Sequence, residues 1–284
     1  MPQRRLVSPP AVPVLVAALL LAGAPARAAD TLREPTFIDP ARRFDKPEIG
    51  PGRVLRFLTT DDEPPFNFKG PDGTPAGFNV DLARALCAAL SVTCSVQTRS
   101  FEALLPALRN REGDAVAASL AISAAARAEA DLTLPTIRMA ARFAARSGSV
   151  PATVLPETVG HSVVGVQAGT AHEAYLRRFF PRAVVRTFTD PDALRTALKG
   201  GAVDLVFADG LATALWLNGS ASEGCCGFAG GPFTEPAYFG EGAGLALRKG
   251  DAPLRDALDF ALQRLTADGT VTNLYLKWFP VGFF

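Results

Sequence analysis

The side chains able to do chemistry fall into three sets. Cys87 and Cys94 lie close together, Cys225 and Cys226 are neighbours, and His161 and His172 are the only histidines. Zinc sites need Cys and His at short, regular spacings, and none occurs here, so no metal and no cofactor are expected. The second set is one of missing motifs. There is no serine nucleophile elbow, no His-Glu-x-x-His helix and no phosphate loop, and Gly240-x-Gly242-x-Gly244 leads into a strand pattern rather than a helix. An enzyme is therefore not expected. The third set consists of acids, hydroxyls and small residues in four places, 61–66, 119–123, 167–172 and Asp209, each just after a stretch that reads as a strand. Such groups can hydrogen-bond and charge-match a small polar solute without transforming it.

The elements that must carry these groups follow from periodicity. Strand patterns at 54–59, 92–96 and 115–120 alternate with helix patterns at 80–90 and 101–110. The alternation restarts with strands at 162–166, 183–188 and 203–208 and a helix at 171–180, and Asp190 followed by Pro191 is a helix start. A strand at 244–248 and helices at 253–267 and 271–277 complete it. This is an α/β chain with two successive units, and ligands of such sheets bind at the carboxyl ends of strands. Cys87 falls on a helix and Cys94 on the next strand with a short turn between, so a disulfide is expected; Cys225 and Cys226 could be bonded or free.

Composition narrows the class. The 284 residues are 48% hydrophobic with net charge +1, enough for one large or two medium cored domains and without a basic stripe, so nucleic acid is not an expected partner. Arg4 and Arg5, an apolar run over 11–24 and Ala26-Arg27-Ala28 read as a cleaved signal peptide over 1–28. The run is shorter than the roughly 20 residues of a membrane-spanning helix, and Pro13 interrupts it. No Cys follows the cleavage site, so no lipid anchor is indicated. Localisation in the periplasm is expected. Residues 29–52, rich in Pro and Arg, read as an extended arm.

Several motifs taken together carry a resemblance. Pro64-Pro65-Phe66 precedes Asp72-Gly73-Thr74-Pro75-Ala76-Gly77-Phe78-Asn79-Val80-Asp81-Leu82; Ala168-Gly169-Thr170, Ala202-Val203-Asp204-Leu205-Val206-Phe207-Ala208-Asp209 and Ala267-Asp268-Gly269-Thr270 follow in order. With Cys87 and Cys94, the chain resembles the type II periplasmic amino-acid-binding proteins, above all the histidine-binding and lysine/arginine/ornithine-binding members. The resemblance implies a two-lobed fold, each lobe a mostly parallel sheet flanked by helices. Lobe one would be 53–140 plus 243–284 and lobe two 141–242, with hinge strands near 142–146 and 241–245. It also implies capture of a small amino-acid-like solute by a monomer, and delivery to an ABC permease and its ATPase.

Carried over position by position, the ligand set is Glu63, Phe66, Phe101, Ser119, Leu120, Ala121, Arg127, Thr170, Ala171, His172 and Asp209. Phe101 would pack on the ligand side chain, and the backbone of 119–121 would meet its amine and carboxylate. Thr170 would offer its amide and hydroxyl to a carboxylate. Asp209 would pair with an ammonium, although an Asp after a strand is also a common helix cap.

The chain departs from the family in ways that bear on the ligand. The Arg expected three residues after Ser123 is Ala126, with Arg127 one place later, a rotation of about 100° on a helix. Glu63 replaces an aromatic, and hydroxyls are lost at Ala121 and Ala171. Two cleft acids suggest a cationic ligand; the alternative has Glu63 in solvent and Arg127, Arg138 or Arg142 gripping a carboxylate. Two rival functions share the fold. One is a dehydratase-like enzyme, with Glu173, Glu63 and Arg127 as nominal groups. The other is a sensor or partner module using the arm, Cys225-Cys226 and Trp278, Phe279, Phe283 and Phe284, although Trp278 and Phe279 also fit a core at the end of the last helix.

Overall fold

The computed structural model describes residues 52–151, 153–279 and 282. The predicted signal peptide, the arm up to residue 51, Phe283 and Phe284 lie outside the described residues. Among the described residues, no helix is long and apolar enough to cross a membrane.

The first sheet begins with β1 (Val54–Thr59). A small antiparallel sheet follows, formed by β2 (Asp62–Glu63), β3 (Asn67–Lys69) and β4 (Pro75–Ala76), then α1 (Phe78–Leu90), β5 (Thr93–Thr98), α2 (Phe101–Arg109), β6 (Ala115–Ala121), α3 (Ala124–Glu129) and β7 (Asp131–Leu132). The second sheet is built from β8 (Ala141–Arg146), α4 (Pro156–Val159), β9 (Val163–Gln167), α5 (Ala171–Phe179), β10 (Val184–Phe188), α6 (Pro191–Lys199), β11 (Leu205–Asp209), α7 (Gly210–Asn218) and β12 (Cys226–Phe233). After α8 (Pro236–Phe239), β13 (Ala243–Leu247), α9 (Ala252–Ala267) and α10 (Thr270–Trp278) return to the first sheet.

The strand orders are β5-β1-β6-β13-β7 and β10-β9-β11-β8-β12. Pairs joined through helices are parallel: β1 with β5 and β6, β9 with β10 and β11. β8 and β13 run antiparallel to both neighbours, because each enters its sheet from the other one. Helices cover both faces of each sheet. In the first, α1, α9 and α10 bury Phe78, Leu82, Leu258 and Tyr275 against Phe57 and Leu245, while Leu104 and Leu108 of α2 cover Leu58 and Val116. In the second, Tyr175 and Leu176 of α5 pack on Phe143 and Phe207, and Leu194, Leu198 and Trp216 of α6 and α7 pack on Ala144 and Val206. Leu211 and Ala214 of α7 also join the first core.

Local chemistry sets the helix ends. Asp190 accepts from the Ala193 amide at 2.8 Å with Pro191 in the first turn, and Asp251 accepts from the Leu254 amide at 3.4 Å. The chain passes between the sheets after β7 and returns before β13. The passages are tied by a bridge from Ile137 to Ala243, with the Ala243 amide donating to the Ile137 carbonyl at 2.8 Å. The resemblance places hinge strands near 142–146 and 241–245. Ala141–Arg146 form β8 inside the second sheet, between β11 and β12, and Ala243–Leu247 form β13 inside the first, so the chain passes between the sheets just before each of them. Gly242, at φ +107°, brings its backbone so close to Ile137 that a Cβ would sit 2.5 Å from the Ile137 oxygen.

Cys87 and Cys94 form a disulfide joining α1 to β5, and Cys225 and Cys226 are bonded to each other at the start of β12. Replacing both Cys87 and Cys94 by Ala is expected to cost about 2 to 3 kcal/mol through the freed loop of the unfolded chain. The thermal midpoint should fall by about 4 to 12 °C; an unchanged melt would show that this bond adds nothing.

Candidate functional site

The carboxyl ends of β9 and β11 meet in the second sheet, and the gap between α6 and α7 opens beside them. A cavity of about 190 Å³ lies there. Gln167, Thr170, His172, Arg195, Asp209 and Thr213 supply its polar lining, and Leu194, Val206 and Trp216 form part of its apolar wall. Three of the predicted ligand residues, Thr170, His172 and Asp209, are thus brought together.

Asp209 ends β11 and caps α7: Oδ1 accepts from the Ala212 amide at 2.8 Å, and its carbonyl accepts from the Thr213 hydroxyl at 2.6 Å. The cap uses one carboxylate oxygen and leaves Oδ2 available at the helix start. Thr170 caps α5. Its hydroxyl donates to the Gln167 carbonyl at 2.8 Å and accepts from the Glu173 amide at 3.3 Å. Glu173 in turn accepts from the Gly169 amide at 2.8 Å and pairs with Arg177, contacts that hold its carboxyl below the usual range. Ala171 is the exposed first residue of α5.

His172 packs against Phe207 and Phe239, with ring centroids at 5.8 and 5.3 Å. Burial pushes its pKa down and the Asp209 charge partly offsets this. A folded-state pKa below the ordinary 6.5 means that, between the two values, the unfolded chain holds a proton which the folded chain lacks. Stability is therefore full above about pH 6.5 and declines as pH falls toward the depressed value. A melt series from pH 8 to 5 should show a decline that His172→Gln reduces; parallel wild-type and variant curves would exclude this source.

The first sheet carries the other predicted residues. Ser119, Leu120 and Ala121 end β6, and Ser119 holds φ +49°, a left-handed conformation that non-glycine residues rarely adopt. Its hydroxyl accepts from Asn79 Nδ2 at 2.9 Å, and the same nitrogen donates to Asn67 Oδ1 at 2.6 Å. Asn67 reaches Thr60 Oγ1 at 2.5 Å. This buried chain of Thr60, Asn67 and Asn79 was not anticipated; the available signal was a pair of asparagines in otherwise apolar surroundings. This polar network holds Ser119 in that conformation at the strand end.

Phe101, the first residue of α2, is 52% exposed. With Leu120 it lines a separate hollow of about 380 Å³ whose rim includes Arg109 and Glu129. Phe66 is only 3% exposed, with its ring on Phe78 and Phe279, so its side chain belongs to the core. Glu63, on β2, is exposed by area, yet desolvation and then the Asp62 charge push its carboxyl upward, with an Asn67 hydrogen bond opposing.

The arginines divide. Ser123 caps α3 through the Ala126 amide, Ala126 is buried, and Arg127 turns to Glu241 with an N–O distance of 2.6 Å. Arg142 is 6% exposed, donates to the Gly230 carbonyl at 2.9 Å and lies 4.2 Å above the Phe228 ring. Its Nε and Nη1 find no acceptor among the described residues, and burial lowers its pKa. Among the described residues, no group of three or more His, Cys, Asp or Glu could hold a metal ion.

Residues 55–281 match the bacterial extracellular solute-binding proteins, family 3. The chain belongs to this family. The L-arginine-binding protein of Pseudomonas aeruginosa is 32% identical over 218 residues, 76% of this chain and 84% of that protein. An ancestral cationic amino-acid solute-binding protein is 28% identical with a TM-score of 0.57, covering 80% of this chain and 95% of that one. An ancestral cyclohexadienyl dehydratase shares the fold, at 20% identity and a TM-score of 0.69, covering 82% and 99%. This solute-binding protein is thus two-lobed, on a fold that binding proteins share with a dehydratase.

Proposed function

We propose that this solute-binding protein captures a small cationic, amino-acid-like solute in the periplasm and hands it to an ABC permease and its ATPase, acting as a monomer. The lobes would be 53–140 with 243–284, and 141–242. The observation that carries the reading is Asp209, a carboxylate with one oxygen spent on a helix cap and the other available beside Thr170 and His172. Charge complementarity between this acid and a ligand ammonium supplies specificity. The arginine-binding relative supports the ligand class.

Ser119 to Ala121 and Phe101 belong to the other lobe and would reach the ligand when the lobes close. Closure is favoured only by contacts that the open form lacks. Arg127 pairs with Glu241 and Ala126 is buried, which weighs against a strong carboxylate clamp in this segment. The same engagement favours binding over catalysis: Glu173, a nominal acid, is held by the Gly169 amide and Arg177. Of the features that favoured a partner module, Trp278 packs on Phe68 and donates to Asp81, and Phe279 is buried with Phe66 and Phe78.

Calorimetric titration with arginine, lysine, ornithine and histidine, against glutamate and neutral amino acids, tests the reading. The cationic set should bind, and at 100 times the dissociation constant should stabilise by about 2.7 kcal/mol. Binding of only neutral or acidic solutes would overturn it, and turnover of a prephenate-like acid would favour the enzyme.

A further inference from the structure

The cavity beside Asp209 does not look like a chamber for a second cation. Its apolar wall is Leu194 of α6, Val206 of β11 and Trp216 of α7, all nearly buried. Arg195 also lines it: Nη2 donates to the Ala212 carbonyl at 3.3 Å, linking α6 to α7, and the guanidinium carbon lies 5.9 Å from the Trp216 ring centroid. Its Nη1 pairs with Asp192 at 3.1 Å, but that carboxylate lies out in solvent and not in the cavity lining, so a cation placed inside would still meet the guanidinium. An uncharged group would not, and apolar cavities of about 150 Å³ accept benzene. The volume here is about 190 Å³.

We propose that the cavity between α6 and α7 is a specificity subsite, and that among amines held at Asp209 the protein favours those that also carry a ring-sized apolar group. The ammonium sits at Asp209, and the ring enters between Leu194, Val206 and Trp216. This rests on the assignment of Asp209 as the ammonium partner. It adds that the carbon skeleton is read inside the second lobe, where the acid at the mouth and the apolar wall behind it select an amphipathic cation. Any second charge on the ligand must stay outside, toward the first lobe.

The test is titration of the purified protein with phenethylamine and ethylamine, followed by heat or tryptophan fluorescence. Phenethylamine should bind at least about tenfold more tightly, the scale on which a hydrophobic pocket rewards added carbon. Ala208→Leu, which fills the cavity from β11, should bring that ratio close to one. If it does not fold, Ala212→Leu on the exposed side of α7 serves the same purpose. A wild-type ratio near one, or a ratio that neither filling variant changes, overturns the subsite. If Asp209→Asn binds every amine as the wild type does, the assignment of Asp209 fails as well. Amines that depend on Asp209 but gain nothing from the ring remove only the subsite.

Discussion

Asp209→Asn is expected to weaken arginine binding by about 30- to 4000-fold while lowering the thermal midpoint by less than about 4 °C. The carboxylate does two jobs that this substitution separates. As a cap it accepts from the Ala212 amide at 2.8 Å, and Asn caps a helix about as well as Asp. Only the charge at the start of α7 is lost, a term of about 0.3 to 1 kcal/mol, equivalent to roughly 1 to 4 °C in a domain of this size. As the ammonium partner it is not replaced by its neighbours in the cavity: Thr170 is bonded at both ends, and His172, its pKa pushed down by burial, carries no negative charge. Leaving an ammonium in the cleft without its acid costs about 2 to 5 kcal/mol. Calorimetric titration of wild type and variant gives the affinity ratio, and a melt gives the midpoint. A variant that binds within threefold of wild type would make Asp209 a cap and nothing more.

Gly77→Ala should destabilise the protein by about 3 to 5 kcal/mol, the range of severe backbone and packing conflicts. Gly77 stands at φ +120°, and a Cβ would lie 2.3 Å from the Phe66 oxygen and 2.9 Å from the Asn67 nitrogen. Neither can move cheaply. The Phe78 amide donates to the Pro65 carbonyl at 3.0 Å and the Asn79 amide to the Phe66 carbonyl at 2.9 Å, clamping the start of α1 onto the 64–67 turn. Pushing that turn away also moves Asn67 and Asn79, and with them the support under Ser119. The midpoint should fall by at least about 6 °C, and any folded fraction should bind ligand more weakly. A shift under 2 °C would show that the turn yields without cost.

How far each feature could be read from sequence follows from how local its cause is. The strand at 54–59 and the helix opened by Asp190 and Pro191 were legible because alternation and capping act within a few residues. The two- and three-residue strands β2, β3 and β4 are too short to show a period. α7 was anticipated only as a possible consequence of an Asp cap. Arg127 could be placed on a helix, but its partner Glu241 lies 114 residues away in sequence. The cavity needs α6, α7 and β11 together, and no stretch of sequence contains all three.

The sequence by itself determined the main alternation of strands and helices in each half, the helix start at Asp190, the cysteine pair Cys87 and Cys94, and an acid at the end of the strand that closes with Asp209. These depend on periodicity, caps and short spacings, which neighbouring residues decide among themselves. Only the tertiary structure decided that Phe66 turns into the core, that Arg127 pairs with Glu241, that Arg142 lies buried, and that Asp209 lines a cavity with Leu194, Val206 and Trp216. Those outcomes depend on which distant surfaces compete for the same side chain, and that competition is resolved only when the sheets and their covering helices pack.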